Sequence, residues 1–165
     1  MKKTILFVLA TILMMSLLVG CAAQNTSGST TGPALVTVKG KIANGSYVLD
    51  QAAFDANSKE LKTFDPWVGD KGKDVTEKGI LLKDLITMVK PSSDVKTVSL
   101  IGTDGKAFDV AFEDAQKYDI MLSHWVDGTM LDQKNGGPVK AAYPKDATNY
   151  KPENWAWWVV TVEFK

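Results

Sequence analysis

The 165 residues predict a single sheet-rich α+β domain. Three observations carry that reading. Several segments alternate apolar and polar residues with the period of a strand. Two dipeptides, Asn44-Gly45 and Asp104-Gly105, are hairpin-turn chemistry. Only two or three short stretches show helical spacing, and they are interleaved with the strands in mixed order.

Taken in order, "LVTVKGKI" alternates and reads as a strand, and "ANGS" turns it back. "YVLDQAAFDAN" spaces Val48, Leu49, Ala52, Ala53 and Phe54 helically, with Asp50 as its cap. "KELKTFDPW" is extended, because Pro66 disfavours helix at Asp65. "VGDKGKDVTEKG" reads as a charged, Gly-rich loop. Within it, "GDKGKD" lacks the ligand spacing of an EF-hand. "ILLKDLITMVKP" is the clearest helix: Leu81, Leu82, Leu85, Ile86 and Val89 share a face, and Pro91 stops it. "VKTVSLIGTDGKAFDVAF" is two strands about Asp104-Gly105, and "EDAQKYD" a short helix. "IMLSHWV" is a strand, "DGT" a turn, "VKAAYP" another strand and "WAWWVVTVEF" the last. The total is six or seven strands. Asp104, Asp127 and Asp132 lie at turns, where aspartate serves the backbone.

The N-terminus reads as an address. Lys2 and Lys3 precede an apolar run from Ile5 to Val19, the length of a secretory core and short for a spanning helix. It ends in Leu18, Val19, Gly20 and Cys21, which resemble the lipobox of bacterial lipoproteins. That resemblance implies cleavage after residue 20, lipidation at Cys21 and a membrane as partner, outside the cytoplasm. Residues 21–34 are small and polar, a flexible tether, and the folded domain is expected over 35–165.

Composition narrows the chemistry. Nineteen lysines balance nineteen acids, so no nucleic-acid partner is implied. Arginine, the bidentate clamp for phosphate, is absent. One Cys and one His cannot build a zinc or iron–sulfur site within this chain. His124 could in principle donate a proton or ligate haem, but no Cys-x-x-Cys-His motif exists. The adjacent Ser123 points to the other face of a strand, so a Ser–His pair is disfavoured. A structural histidine is the expected role. Of the tryptophans, Trp155 and Trp157 are expected on one face of the last strand. Trp158, Val160, Val162 and Phe164 are expected on the other. Trp67, in an irregular segment, is the one most readily assigned to a pocket.

The order of "GILLKDLI", "KTVSLIGTDGKAFDVAFEDA", "IMLSHWVDGTML", "GGPVKAAYP" and a terminal aromatic strand resembles the oxidoreductase molybdopterin-binding domain, the sulfite-oxidase-type fold. The resemblance runs from about Val36 to Lys165. It implies molybdopterin as cofactor, a cysteine as protein ligand to the metal, and basic residues around the pterin phosphate. With Trp67 as anchor, Thr63 falls at the cysteine position. Lys140 stands where active members often carry arginine. The Gly136-Gly137-Pro138 loop falls near the family's cofactor, though a plain structural turn explains it as well. A threonine hydroxyl is a hard, weakly acidic group in place of a soft thiolate. Two functions follow as expectations. One is a degenerate member that binds a ligand or protein partner in a remodelled cleft. The alternative is an active molybdopterin-dependent oxidoreductase, or an electron-transfer accessory with a redox partner. The missing cysteine and arginines favour the first.

Overall fold

The computed structural model describes residues 32–165 apart from Gly69. The expected leader (1–20), Cys21 and most of the tether lie outside the described residues.

Two five-stranded sheets hold the core between them. The first is built from β1 (Val36–Gly40), β2 (Ser46–Leu49), β5 (Thr97–Gly102), β6 (Ala107–Ala111) and β10 (Val159–Phe164), in the order β2-β1-β10-β5-β6. Its pairings are antiparallel except β1 with β10, which run parallel from Thr37↔Thr161 to Gly40↔Phe164. The second contains β3 (Lys59–Asp65), β4 (Lys73–Leu81) and β7 (Met121–Val126). The short β8 (Thr129–Met130) and β9 (Lys140–Ala142) share the remaining edge of β7.

Among the described residues, three short α-helices accompany the sheets. In α1 (Gln51–Asn57) the Asp50 carboxylate accepts from the Ala53 N–H, so the expected cap is in place. Helix α2 (Leu82–Val89) buries Leu82, Leu85 and Val89 and stops at Lys90, whose φ is 49°, just before Pro91. Helix α3 (Phe112–Lys117) follows β6 directly. The core joins Val36, Val38, Leu100 and Val162 of the first sheet to Ile80 and Leu122 of the second.

Several expectations require correction. The described residues form ten strands where six or seven were expected, and Val48 and Leu49, expected in the first helix, belong to β2, with α1 starting only at Gln51. The segment expected to be a loop is largely strand, because β4 starts at Lys73. Val75 and Glu77 alternate inward along it, and seven residues pair with β3. The helix starts at Leu82, since Ile80 and Leu81 complete β4. The final strand starts only at Val159. Pro152 opens a short 3-10 turn, and Trp158 takes φ 51°, which breaks strand alternation. A register shift between Val159 and Thr161 then brings Val159 inward beside Val162 and Phe164, and Val160 is only partly buried.

The alternation of the second sheet positions everything that follows. Ile80, Leu122 and Ala141 face the main core. Leu81, Met121 and Ala142 form a smaller apolar cluster with Leu61. Thr63, Asp65, Glu77, Ser123 and Lys140 are all buried polar residues of this same sheet.

Candidate functional site

Lys140, at the start of β9, is 2% exposed. Its ammonium bonds to Asp65 Oδ2 at the end of β3 and lies 3.0 Å from Glu77 Oε1 in the middle of β4. Neither carboxylate is exposed to solvent. The other Asp65 oxygen accepts from the Trp67 backbone N–H at 2.8 Å, which fixes the turn through Pro66. The other Glu77 oxygen accepts from the Ser123 hydroxyl at 2.5 Å. Glu77 Oε1 has charge contact with Lys140 but no aligned hydrogen bond. Lys140 also stands 5.3 Å from the Trp157 ring centre and 5.8 Å from that of Trp155. Strands β3, β4, β7 and β9 are thus tied by one buried polar network.

Burial pushes the Glu77 carboxyl above its ordinary value of 4.5 and outweighs the downward pull of Lys140 and Ser123. Two acids around one base leave a surplus negative charge when all three are ionised. A raised Glu77 retains a proton more readily and relieves that surplus.

Above this network opens a cleft of about 530 Å³. Asp65 and Lys140 belong to its lining, and Trp67, Trp157, Trp158, Met130 and Leu131 supply apolar surface. Lys134 and Asn135 stand on its polar side. The volume suits a small organic molecule. Among the described residues, three of the four large exposed hydrophobic ones, Trp67, Met130 and Trp158, line this one feature.

The residues singled out from sequence are distributed unevenly about the cleft. Trp67 and Lys140 line it. Gly136 and Gly137 shape its wall without lining it. A Cβ on Gly136, whose φ is +84°, would stand 2.0 Å from Trp157 Cε3. One on Gly137 would stand 2.4 Å from the Leu131 carbonyl oxygen. The loop therefore lets an indole lie against bare backbone, and Trp158 N–H donates to the Gly136 carbonyl at 2.8 Å. Thr63 does not reach the cleft. It is buried, and its hydroxyl donates to the Tyr143 carbonyl at 2.6 Å. His124 lies behind the loop, with Nδ1 2.6 Å from the Pro138 carbonyl and Nε2 3.0 Å from Gln51 Oε1. Phe54 and Trp125 pack on its ring, and it does not meet Ser123, which bonds to Glu77. Trp155 is buried while Trp157 lines the cleft, so the two do not share the role expected of one strand face.

Sequence reasoning missed Asp65, Glu77 and Ser123. Asp65 was legible only as a residue before proline. Glu77 lies in the segment expected to be a loop. The usable signal was period two: Val75, Glu77 and Gly79 place one acid among inward positions of a strand.

The family profile described as "Oxidoreductase molybdopterin binding domain" matches residues 52–164, more than half of the chain. The chain belongs to this family. Its fold agrees: the sulfane dehydrogenase SoxCD of Paracoccus pantotrophus superposes with a TM-score of 0.64 at 15% identity. The match covers 78% of this chain and 37% of that one, so this domain spans well under half of the larger protein. No curated protein matches. The sulfite-oxidase-type fold expected from sequence is therefore the fold present.

The residues of this family member do not fit the family's cofactor. Thr63 turns its hydroxyl into the protein. Lys140 is neutralised by Asp65 and Glu77, so it offers little to a phosphate, and the carboxylates beneath the cleft repel one.

Two outcomes follow from the buried network. Lys140→Met should cost about 3–5 kcal/mol in urea unfolding, because two carboxylates lose their counter-charge. Adding Asp65→Asn and Glu77→Gln should recover most of the loss; no recovery would show that packing of the lysine stem dominates. The second concerns pH. An acid with a raised folded pKa binds its proton better folded than unfolded. Its contribution is complete below the unfolded value near 4.5 and is lost as pH rises through the folded value. Stability relative to Glu77→Gln should therefore fall from about pH 4.5 upward. A difference that stays flat with pH would contradict the assignment.

Proposed function

We propose that this domain is a non-catalytic binding module, held at an extracytoplasmic membrane face by lipid on Cys21, that takes a small ligand or partner group in the cleft above Lys140. The observation that supports it best is the internal use of Lys140. The cleft's buried cation is already committed to Asp65 and Glu77. A site built to hold an anionic cofactor leaves its cations available. Apolar surface from three tryptophans and a methionine remains for binding instead. Fold carries no activity by itself. The competing reading is an active molybdopterin-dependent oxidoreductase or an electron-transfer accessory to one. It draws its support from family membership over residues 52–164.

Expression in a host that makes the molybdenum cofactor separates the two. The purified protein should contain neither molybdenum nor pterin in stoichiometric amount. Thr63→Cys should not change that, because a thiol there would point at the Tyr143 carbonyl and Lys140 would remain neutralised. Stoichiometric molybdenum in either protein refutes the module reading. The anchor is tested by mass spectrometry of the N-terminal peptide from the membrane fraction. The expected peptide begins at an acylated Cys21, and a peptide with unmodified Cys21 removes the anchor from the proposal.

A further inference from the structure

We infer that the mouth of the cleft is a bilayer-docking surface: Trp67, Met130 and Trp158 enter the headgroup layer of the membrane that holds the lipid anchor. This inference rests on the anchor in the reading above. It adds a second contact, made by the folded domain itself.

The first observation is the rim. Trp67 is 55% exposed, Met130 50% and Trp158 36%, and all three line the same cleft. Trp67 meets Trp157 edge-on with centroids 6.1 Å apart, and Trp157 meets Trp158 at 6.2 Å, so the indoles form one wall. Trp158 is held at both ends. Its backbone N–H donates to the Gly136 carbonyl, and its indole Nε1–H to the Gln133 carbonyl at 2.7 Å. An apolar ring with one polar N–H suits the layer between lipid headgroups and acyl chains, where tryptophan concentrates. Lys134 at the rim and the exposed Asp132 two residues before it carry opposite charges. Burial of apolar surface, and not net charge, is the driving term.

The second observation is where the chain enters the fold. Strands β1 and β10 are parallel neighbours, with Thr37 level with Thr161. Val36 is therefore level with Val160, two residues past Trp158, on a strand about 5 Å away. The chain comes into β1 at the end of the first sheet where the residues before Val159 form the tryptophan wall. Only fourteen residues, 21–34, run from the expected lipid site to Leu35. At full stretch they span about 50 Å. The anchor thus holds the tryptophan end of the domain towards the bilayer, and the far ends of β1 and β10, at Gly40 and Phe164, away from it. A domain on so short a lead meets the surface at high effective concentration. A contact too weak to recruit a free protein is then populated.

The test uses the full chain, purified from the membrane fraction and reconstituted into phosphatidylcholine vesicles. The lipid is either plain or brominated on the upper part of its acyl chains, where bromine quenches an indole only at short range. Brominated lipid should lower the tryptophan emission of the wild type. Trp67→Phe should lose a large part of that drop, because its exposed indole is among those quenched. Met130→Asp puts a charge into the rim at an exposed position and should abolish the drop while the unfolding midpoint stays unchanged. Equal emission of the wild type in the two lipids overturns the docking. A drop that survives undiminished in both Trp67→Phe and Met130→Asp overturns its assignment to this rim. Acylation is read by mass on the same preparation. An unmodified Cys21 overturns the anchor and this inference with it, whereas an acylated Cys21 without quenching overturns the docking alone. The molybdenum and pterin content decides separately what the cleft holds.

Discussion

A single buried ammonium between two buried carboxylates organises the second sheet. Removing three charges from water is expensive, and the mutual attraction in a low-dielectric interior offsets the cost only when partners are close and further hydrogen bonds complete them. Asp65 meets both conditions, and Glu77 meets them in part, since its Oε1 stands 3.0 Å from Lys140 without an aligned hydrogen bond. Asp65 gains the Trp67 N–H, Glu77 gains the Ser123 hydroxyl, and Lys140 gains ring faces on its remaining side. The network specifies register as well as charge. A one-residue slip of β3 or β4 would turn Asp65 or Glu77 to the opposite face and strand the lysine. The Pro66 turn, the position of Trp67 and the floor of the cleft all follow from this arrangement.

Local features of this chain were legible because their causes are local. The Asp50 cap, the Asn44-Gly45 and Asp104-Gly105 turns and the apolar face of α2 each depend on residues a few positions apart. The order of strands and helices then sufficed for the fold. Strand β4 was hidden because Lys73, Asp74, Lys78 and the nearby glycines suggested solvent on all sides, whereas only alternate residues face it. The terminal aromatic run appeared to be one long strand because tryptophan favours strands. The positive φ of Trp158 arises from bonds to Gly136 and Gln133, more than twenty positions away. The polar network was least legible of all. Asp65 and Glu77 meet Lys140 only after four strands have paired, and no spacing in the chain announces that meeting.

The glycine pair shows how one sequence element serves two descriptions. As a turn, residues 136 and 137 bring the chain into β9 with Lys140 aimed inward. As a surface, their missing side chains admit the Trp157 ring against the backbone. The same two residues thus place the buried cation and the apolar wall next to it. Family membership and divergent site chemistry are compatible on these terms. The scaffold places the cleft, while the side chains of β3, β4 and β9 decide what it can hold.

The strand that completes the first sheet is also the last of the described strands in chain order. β10 lies between β1 and β5, and β1 begins only five residues into the described part of the chain, at Val36. Until residues 159–164 arrive, β1 and β2 form an isolated hairpin and β5 and β6 another, each with an unpaired inner edge. Closing the sheet joins contacts more than a hundred residues apart, which carries a high loop-closure cost and slows folding. The first sheet therefore cannot close before residues 159–164 have been made, and loss of β10 would remove the centre of a sheet rather than its margin.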